Sequence, residues 1–192
     1  MRITGGQWRS RRLVGPSRNM PLRPTPDALR ERAFAILGER LPNARFLDLF
    51  AGTGAVGIEA LSRGAATAVF VDDHPAATRL IRRNLAQLDD AESRSRVVTR
   101  PAARALQALA RRGERFDLVW ADPPFDRWHL GLEALAAVAA GGLIDATGLM
   151  MLEYPERSDF DRFPPALEVR RQISCGASSL VMLGVVDAGS GF

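Results

Sequence analysis

The stretch Phe46–Leu61, FLDLFAGTGAVGIEAL, decides the fold class of this chain. An apolar run typical of a buried strand leads into Gly52, Gly54 and Gly57, and a helical pattern follows. These glycines match G-x-G-x-x-G, a spacing that lets a ligand approach the backbone at the amino end of a helix. Asp72 ends the next predicted strand, where a carboxylate can accept two ribose hydroxyls. We therefore expect a strand-turn-helix unit that binds an adenosine-bearing cofactor.

Asp48 indicates which cofactor fits this turn. A carboxylate just ahead of the glycines would repel the pyrophosphate of a dinucleotide, but it would hold an ammonium group. S-adenosylmethionine carries an ammonium group and no phosphate, so we expect Asp48 to bind the ammonium and Asp72 to bind the ribose. The alternative that Asp48 only shapes the turn stays open.

The rest of the chain continues the alternation of strands and helices. Strands are predicted near residues 46–50, 68–72, 96–99, 116–120 and 148–154, and helices near 54–63, 75–88, 101–112 and 129–140. Strands this apolar, alternating with helices, indicate a parallel sheet covered on both faces. Two further runs, residues 166–173 and 179–186, predict an antiparallel hairpin at the sheet edge.

An additional helix is predicted just before the first strand. Thr25 suits its cap, and Leu29, Ala33, Ile36 and Leu37 fall on one face. This helix should therefore pack on the body of the domain.

Positive charge is concentrated at the amino end of the chain. Residues 1–23 hold six arginines and no acid, whereas the remainder is close to neutral. A basic arm on a neutral body is typical of a nucleic-acid partner, with a solvated tail as the alternative. No apolar run is long enough to span a bilayer, and we expect a cytoplasmic protein. The chain has one cysteine, Cys175, which argues against disulfides. It has only two histidines, His74 and His129, which argues against a metal site.

The stretch WADPPF, residues 120–125, follows the fourth predicted strand. The carboxyl end of that strand should lie beside the glycine turn. The Asp122 carboxylate and the Pro123 carbonyl would accept both N–H groups of a nucleobase amine, and Phe125 would stack on a flipped base. We call Asp122–Phe125 the base clamp; a simple turn is the alternative.

These motifs together resemble a known family. DLFAGTGAVGIEALSRGA and ADPPF are similar to the class I amino-methyltransferases with a [D/N]-P-P-[Y/F/W] signature. RITGGQWRSRRL and LRPTPDALRERAFAIL resemble one branch, the bacterial 16S rRNA guanine-N2 methyltransferases that modify guanine 966. The resemblance implies an α/β, Rossmann-like fold with a seven-stranded, mostly parallel sheet in the order 3-2-1-4-5-7-6 and helices on both faces. It also implies S-adenosylmethionine as cofactor, the 16S rRNA of the assembling small subunit as substrate, and a monomer.

The resemblance also distributes roles along the chain. The expected domains are a basic RNA-binding arm (1–23), a methyltransferase domain (24–187) and a tail (188–192). The expected catalytic residues are Asp122, Pro123, Pro124 and Phe125. The expected cofactor-binding residues are Thr25, Asp48, Phe50, Gly52, Gly54, Asp72 and Ala102. The expected RNA-binding residues are Arg2, Trp8, Arg9, Arg11, Arg12 and Arg18.

Two departures from the family pattern and three alternative functions remain. Ala35 stands where the family often has asparagine, and Ser10 replaces a common glycine. Trp8 is expected to stack on RNA, although it could instead pin the arm to the body. A DNA adenine-N6 or protein-glutamine methyltransferase would share the clamp. A nucleotide-dependent oxidoreductase would share only the glycine turn, and a non-enzymatic RNA-binding module would leave the clamp unexplained.

Overall fold

The computed structural model describes residues 1–16, 27–156, 158 and 163–186. The strands are β1 Arg45–Leu49, β2 Thr67–Asp72, β3 Ser95–Thr99, β4 Phe116–Ala121, β5 Ile144–Pro155, β6 Leu167–Cys175 and β7 Ser178–Val185. The helices are α1 Asp27–Leu37, α2 Ala55–Ser62, α3 Pro75–Leu85, α4 Ala102–Arg111 and α5 His129–Ala140. The predicted cap Thr25, the predicted RNA contact Arg18 and the predicted tail 188–192 lie outside the described residues. Among the described residues, no helix is long and apolar enough to cross a membrane.

The seven strands form one sheet in the order β3-β2-β1-β4-β5-β7-β6. Strands β1 to β5 pair in parallel, whereas β7 is antiparallel to both β5 and β6. This confirms the predicted order and the edge hairpin. Strand β5 begins earlier than predicted, because Ile144 pairs with Phe116 ahead of a register shift. The polar stretch at residues 145–148 conceals that pairing in the sequence.

Alternate residues of the central strands bury opposite faces of the sheet. Phe46 and Trp120 face a core that α1 joins, and Phe34 of α1 stacks on Trp120 with ring centroids 6.1 Å apart. Leu47 and Val119 face the second core, which α4 and α5 cover. Both faces of the sheet are therefore covered, as its apolar strands predict.

The predicted face of α1 is buried at Leu29, Ala33 and Leu37, and Ile36 is half-buried. Helices α2 and α3 pack on the same side of the sheet as α1, through Ile58 and Ile81.

Residues 1–16 form a docked hairpin, which we call the N-terminal hairpin. Arg2 and Arg12 form an antiparallel bridge, and the Ile3 N–H donates to the Arg11 carbonyl at 3.0 Å. Ile3 and Leu13 are buried in the core that α1 joins. The solvated-tail alternative is therefore wrong for these residues, because apolar side chains alternate with the arginines and anchor the segment.

A buried charge network holds the N-terminal hairpin to α1 and α2. Glu59 is fully buried, and its carboxylate accepts the Thr4 N–H at 2.8 Å and the Thr4 hydroxyl at 2.7 Å. Arg63 donates to the same carboxylate at 2.7 Å, and the Arg30 Nε lies 3.5 Å from it. Arg30, also fully buried, donates to the Arg2 carbonyl at 2.6 Å. Removing one member of such a network leaves the remaining buried charge less compensated, so the hairpin is part of the fold.

Candidate active site

Three strands end at one edge of the sheet and bring the predicted site together. Leu49 of β1 pairs in register with Val71 of β2 and with Ala121 of β4. Asp72 and Asp122 therefore end or follow strands that flank β1, and neighbouring strands lie about 4.8 Å apart. The Asp122 N–H donates to the Leu49 carbonyl at 3.3 Å. The two carboxylates flank the glycine turn at the point where the strand order reverses, as predicted.

The glycine turn uses left-handed backbone that its residue types permit. Gly52 and Gly54 have φ values of 53° and 77°, and the Gly54 N–H donates to the Ala51 carbonyl at 2.7 Å. Phe50 also has a positive φ, 58°, although it is not glycine. A left-handed conformation strains a residue other than glycine by about 1–3 kcal/mol, and such residues cluster at ligand sites. The contact of Phe50 with the cofactor stays a prediction.

Gly57 sets how closely α2 approaches the sheet. A Cβ atom there would lie 2.3 Å from the Phe70 ring and 3.0 Å from the Asp48 carboxylate. Any larger residue would push α2 outward, so the third glycine of the motif serves helix packing.

Asp72 fixes the turn with both carboxylate oxygens. Oδ2 accepts the Gly52 N–H at 2.8 Å, and Oδ1 accepts the His74 N–H at 2.8 Å. Burial raises the pKa of Asp72, and these two hydrogen bonds act in the opposite direction. Each oxygen keeps a lone pair that could accept a ribose hydroxyl. His74 caps α3 by accepting the Ala76 N–H on Nδ1.

Asp48 lies deeper, and its side chain is almost completely buried. Its Oδ2 accepts the Gly57 N–H at 2.9 Å, so this residue does shape the turn. Burial raises the pKa of Asp48 to about 8; the Gly57 hydrogen bond lowers it and the charge of Asp72 raises it. The carboxyl group therefore holds a proton near neutral pH, and a nearby ammonium group would favour its ionised form. The residues of the turn thus fit S-adenosylmethionine, and the ammonium contact stays a prediction.

The base clamp is supported from behind by α5. Pro123 is buried, Asp122 and Phe125 are half-buried, and Pro124 is exposed. A Cβ atom on Gly131 of α5 would lie 2.9 Å from the Pro123 side chain, so the helix packs directly on the clamp. Sequence reasoning missed Gly131; a glycine inside a predicted helix was the available signal.

Trp128 lies just beyond the clamp. Its half-buried ring is tilted against Tyr154 of β5, with centroids 6.4 Å apart. It also packs against the core that α4 and α5 cover. Trp128 therefore has a packing role at this edge of the sheet.

Comparisons with known proteins agree with this geometry. The family model described as "Conserved hypothetical protein 95" matches residues 1–184. Ribosomal RNA small subunit methyltransferase D of Escherichia coli (strain K12) is 35% identical over 176 residues, covering 92% of this chain and 85% of that protein. The chain belongs to the ribosomal RNA small subunit methyltransferase D family.

Solved structures support the same assignment. A hypothetical protein of Thermus thermophilus is 35% identical, with a TM-score of 0.79 and coverage of 96% of this chain and 99% of that chain. A methyltransferase-like chain complexed with SAH is 14% identical, with a TM-score of 0.64 and coverage of 82% of this chain and 48% of that chain; it shows the fold alone. The predicted family, fold and methyltransferase class are confirmed. Family membership gives no support to the oxidoreductase and non-enzymatic alternatives.

Asn84 of α3 joins the N-terminal hairpin to the glycine turn in this family member. This fully buried amide accepts the Val14 N–H at 2.8 Å and donates to the Val14 carbonyl at 3.2 Å. It also donates to the Thr53 carbonyl, within the turn, at 3.1 Å. Sequence reasoning missed Asn84, because its partners lie 70 and 31 residues away along the chain.

The expected RNA-binding residues divide into two groups. Arg2, Arg9, Arg11 and Arg12 are exposed on the N-terminal hairpin. Trp8 is a correction: only 4% of it is exposed, and the Arg94 guanidinium covers its ring at 5.2 Å. The prediction that Trp8 stacks on RNA is therefore wrong, because the indole pins the hairpin to the body.

Ala102 is the other expected cofactor contact that the structure describes. It is the first residue of α4 and lies three residues beyond Thr99, which pairs with Asp72. The structure therefore places Ala102 at the edge of the sheet that also holds Asp72, the glycine turn and Asp122. We call the space outside these strand ends the crevice. Its contact with the cofactor stays a prediction.

Proposed function

We propose that this chain transfers the methyl group of S-adenosylmethionine to the exocyclic N2 of guanine 966 in 16S rRNA. The observation that carries the proposal is the shared register of β2, β1 and β4. It brings Asp72, the glycine turn and Asp122 to one crevice.

The chain's own residues explain how the cofactor would be held. Asp72 would accept the ribose hydroxyls while its backbone partners keep it in place. The buried Asp48 carboxylate would balance the positive charge of the cofactor's ammonium group. S-adenosylmethionine, when bound, supplies an electrophilic methyl group.

The clamp would prepare the amine of the target base. The lone pair of a guanine amine is delocalised into the ring, so the nitrogen is a poor nucleophile. Acceptance of both N–H groups by the Asp122 carboxylate and the Pro123 carbonyl favours a pyramidal nitrogen. Packing of α5 at Gly131 fixes the Pro123 side chain and thereby the clamp backbone. Positioning and electrostatics would supply most of the rate enhancement.

The substrate class follows from charge as well as from the family. The E. coli relative is by name a methyltransferase of small-subunit rRNA. The N-terminal hairpin presents four exposed arginines, which is typical of an RNA-phosphate contact surface. We infer that the enzyme acts as a monomer in the cytoplasm, on the assembling or mature small subunit.

A methyl-transfer assay tests the proposal. Labelled S-adenosylmethionine is incubated with naked 16S rRNA, small subunits, plasmid DNA and bulk protein, all from a strain that lacks this methyl group. We expect label on rRNA or small subunits alone, and mass spectrometry should place it on the N2 of a single guanine. Label on DNA adenine or on glutamine would contradict the proposal.

A further inference from the structure

The exposed face of α3 carries positive charge in addition to that of the N-terminal hairpin. Arg79, Arg82 and Arg83 are all exposed, and residues 75–87 contain no acid. Arg82 donates to the Val97 carbonyl at 3.2 Å. Within the described part of the chain, no hydrogen bond or ion pair of the Arg79 or Arg83 guanidinium is found. These two side chains are therefore available to an external anion.

The spacing of these arginines directs them towards the N-terminal hairpin. Arg79 and Arg83 are four residues apart, so they form one row along α3, with side chains about 6 Å apart. The carbonyl of Gln87, two residues beyond the end of α3, accepts a hydrogen bond from Arg11 of the hairpin at 2.5 Å. The row of α3 thus continues directly into the basic surface of the hairpin.

The other end of the row leads to the crevice. Helix α3 begins at Pro75, and the N–H of the preceding His74 is held by the ribose-binding candidate Asp72. Arg79 lies about one helical turn from that start. The row therefore lies between the hairpin contact at Gln87 and the cofactor edge of the sheet.

The N-terminal hairpin and the glycine turn, which lie at the two ends of the row, are connected through a buried side chain. Asn84, on the buried side of α3, holds both Val14 of the hairpin and Thr53 of the glycine turn. Neighbouring acids lie beyond the row: Asp73 precedes the helix, and the exposed Asp89 and Asp90 follow it, Asp90 being paired with Arg94 at 3.1 Å. The hairpin and the row are thus parts of one preformed surface.

We propose that Arg79 and Arg83 bind backbone phosphates of the RNA strand that carries the target base. The inference rests on the proposed function and extends it: the RNA path leaves the hairpin, follows α3 and reaches the crevice. Contacts to phosphate fix the register of the strand without reading its sequence. Arg79 and Arg83 would therefore position the target guanine.

The test compares two double variants that remove the same charge. Arg79→Gln with Arg83→Gln removes the row. Arg111→Gln with Arg112→Gln removes two exposed arginines at the end of α4, a helix on the opposite face of the sheet. The probe is a fluorescently labelled fragment of 16S rRNA that contains guanine 966, titrated by anisotropy over a series of salt concentrations.

We expect the α3 variant to lose two phosphate contacts. A plot of the logarithm of the RNA association constant against the logarithm of the salt concentration should become less steep by about 1.4. The affinity for RNA at about 0.1 M salt should weaken on the order of 25-fold. The KM for RNA should rise while kcat, melting temperature and cofactor affinity stay at wild-type values. The α4 variant should bind RNA like the wild type.

Other outcomes overturn the inference. Wild-type affinity and slope in the α3 variant, or equal weakening in the α4 variant, would show that the row is not part of the RNA path. If the wild type methylates the guanine and the α3 variant binds RNA as the wild type does, this inference alone is contradicted. A wild-type protein that methylates no RNA contradicts the proposed function as well.

Discussion

The crevice and the N-terminal hairpin are held by different kinds of contact. In the crevice, carboxylates bind backbone N–H groups of the adjoining turns, as Asp72 does at Gly52 and His74. The hairpin is held by side chains from distant parts of the chain, above all Glu59 and Asn84. The crevice thus follows from a continuous motif and strand register, whereas the hairpin depends on a buried charge and a buried amide. The hairpin is consequently a structural element as well as a basic surface.

The largest expected effect concerns the buried charge beneath the hairpin. Glu59→Ala leaves the buried Arg30 with less compensation and Thr4 without its acceptor, which should lower stability by about 3–5 kcal/mol. In a domain of this size that corresponds to a drop in Tm of about 6–20 °C. Thermal unfolding measures it, and limited proteolysis reports whether residues 1–16 detach.

Glu168→Ala is the matched control, because it breaks an exposed ion pair with Arg170. Such a surface pair is worth about 0–1 kcal/mol. Equal loss of stability in the two variants would show that the hairpin is not held by Glu59.

The next effect is a pH dependence of stability, which arises from Asp48 in the crevice. Burial raises the pKa of Asp48 from its ordinary value of 3.8 to about 8 in the folded chain. The folded state therefore holds a proton that the unfolded chain releases, and stability falls as pH rises from about 4 to 8. Asp48→Asn keeps an acceptor for the Gly57 N–H but has no proton to lose, so its stability should not share this fall.

The measurement is the Tm of both proteins between about pH 4 and pH 9 without cofactor. The asparagine variant should be more stable near pH 8 by at least about 1 kcal/mol, or about 2–4 °C. The two curves should converge towards the acid end of this range. Parallel curves across the whole range would mean that Asp48 is ionised in the folded chain.

The smallest effect concerns the backbone of the hairpin. Ser10 has a φ of 70°, a left-handed conformation that glycine adopts without the cost that an L side chain carries. Relief of the left-handed backbone should gain about 1–2 kcal/mol, and the greater freedom of glycine in the unfolded chain should offset about 0.5–1 kcal/mol of this gain. Ser10→Gly should therefore raise stability by about 0.5–1 kcal/mol net, measured by denaturant unfolding. A loss of stability would show that the serine makes a compensating contact.

Residues near one another in sequence made the crevice predictable. The glycine turn, the acid that ends β2 and the clamp after β4 each occupy a short continuous segment, and parallel pairing brings their ends together. The strand order came from resemblance to the family rather than from these patterns. The roles of Asn84 and Glu59 could not be predicted, because their partners are 70 and 55 residues away. Trp8 was wrongly predicted for the same reason: nothing local in a basic segment reveals that Arg94 and Ser62 enclose it.

The most direct test of the central claim is the single-turnover methylation rate of small subunits by the wild type, Asp122→Ala and Asp122→Asn. The hydrogen bonds of Asp122 matter most as the amine becomes pyramidal, so the alanine variant should be slower on the order of a hundredfold. Its binding constants for cofactor and RNA should stay near wild type. Asparagine should be milder, because its amide oxygen still accepts a hydrogen bond. A near-normal rate for Asp122→Ala would contradict the account and leave WADPPF as a turn that ends β4.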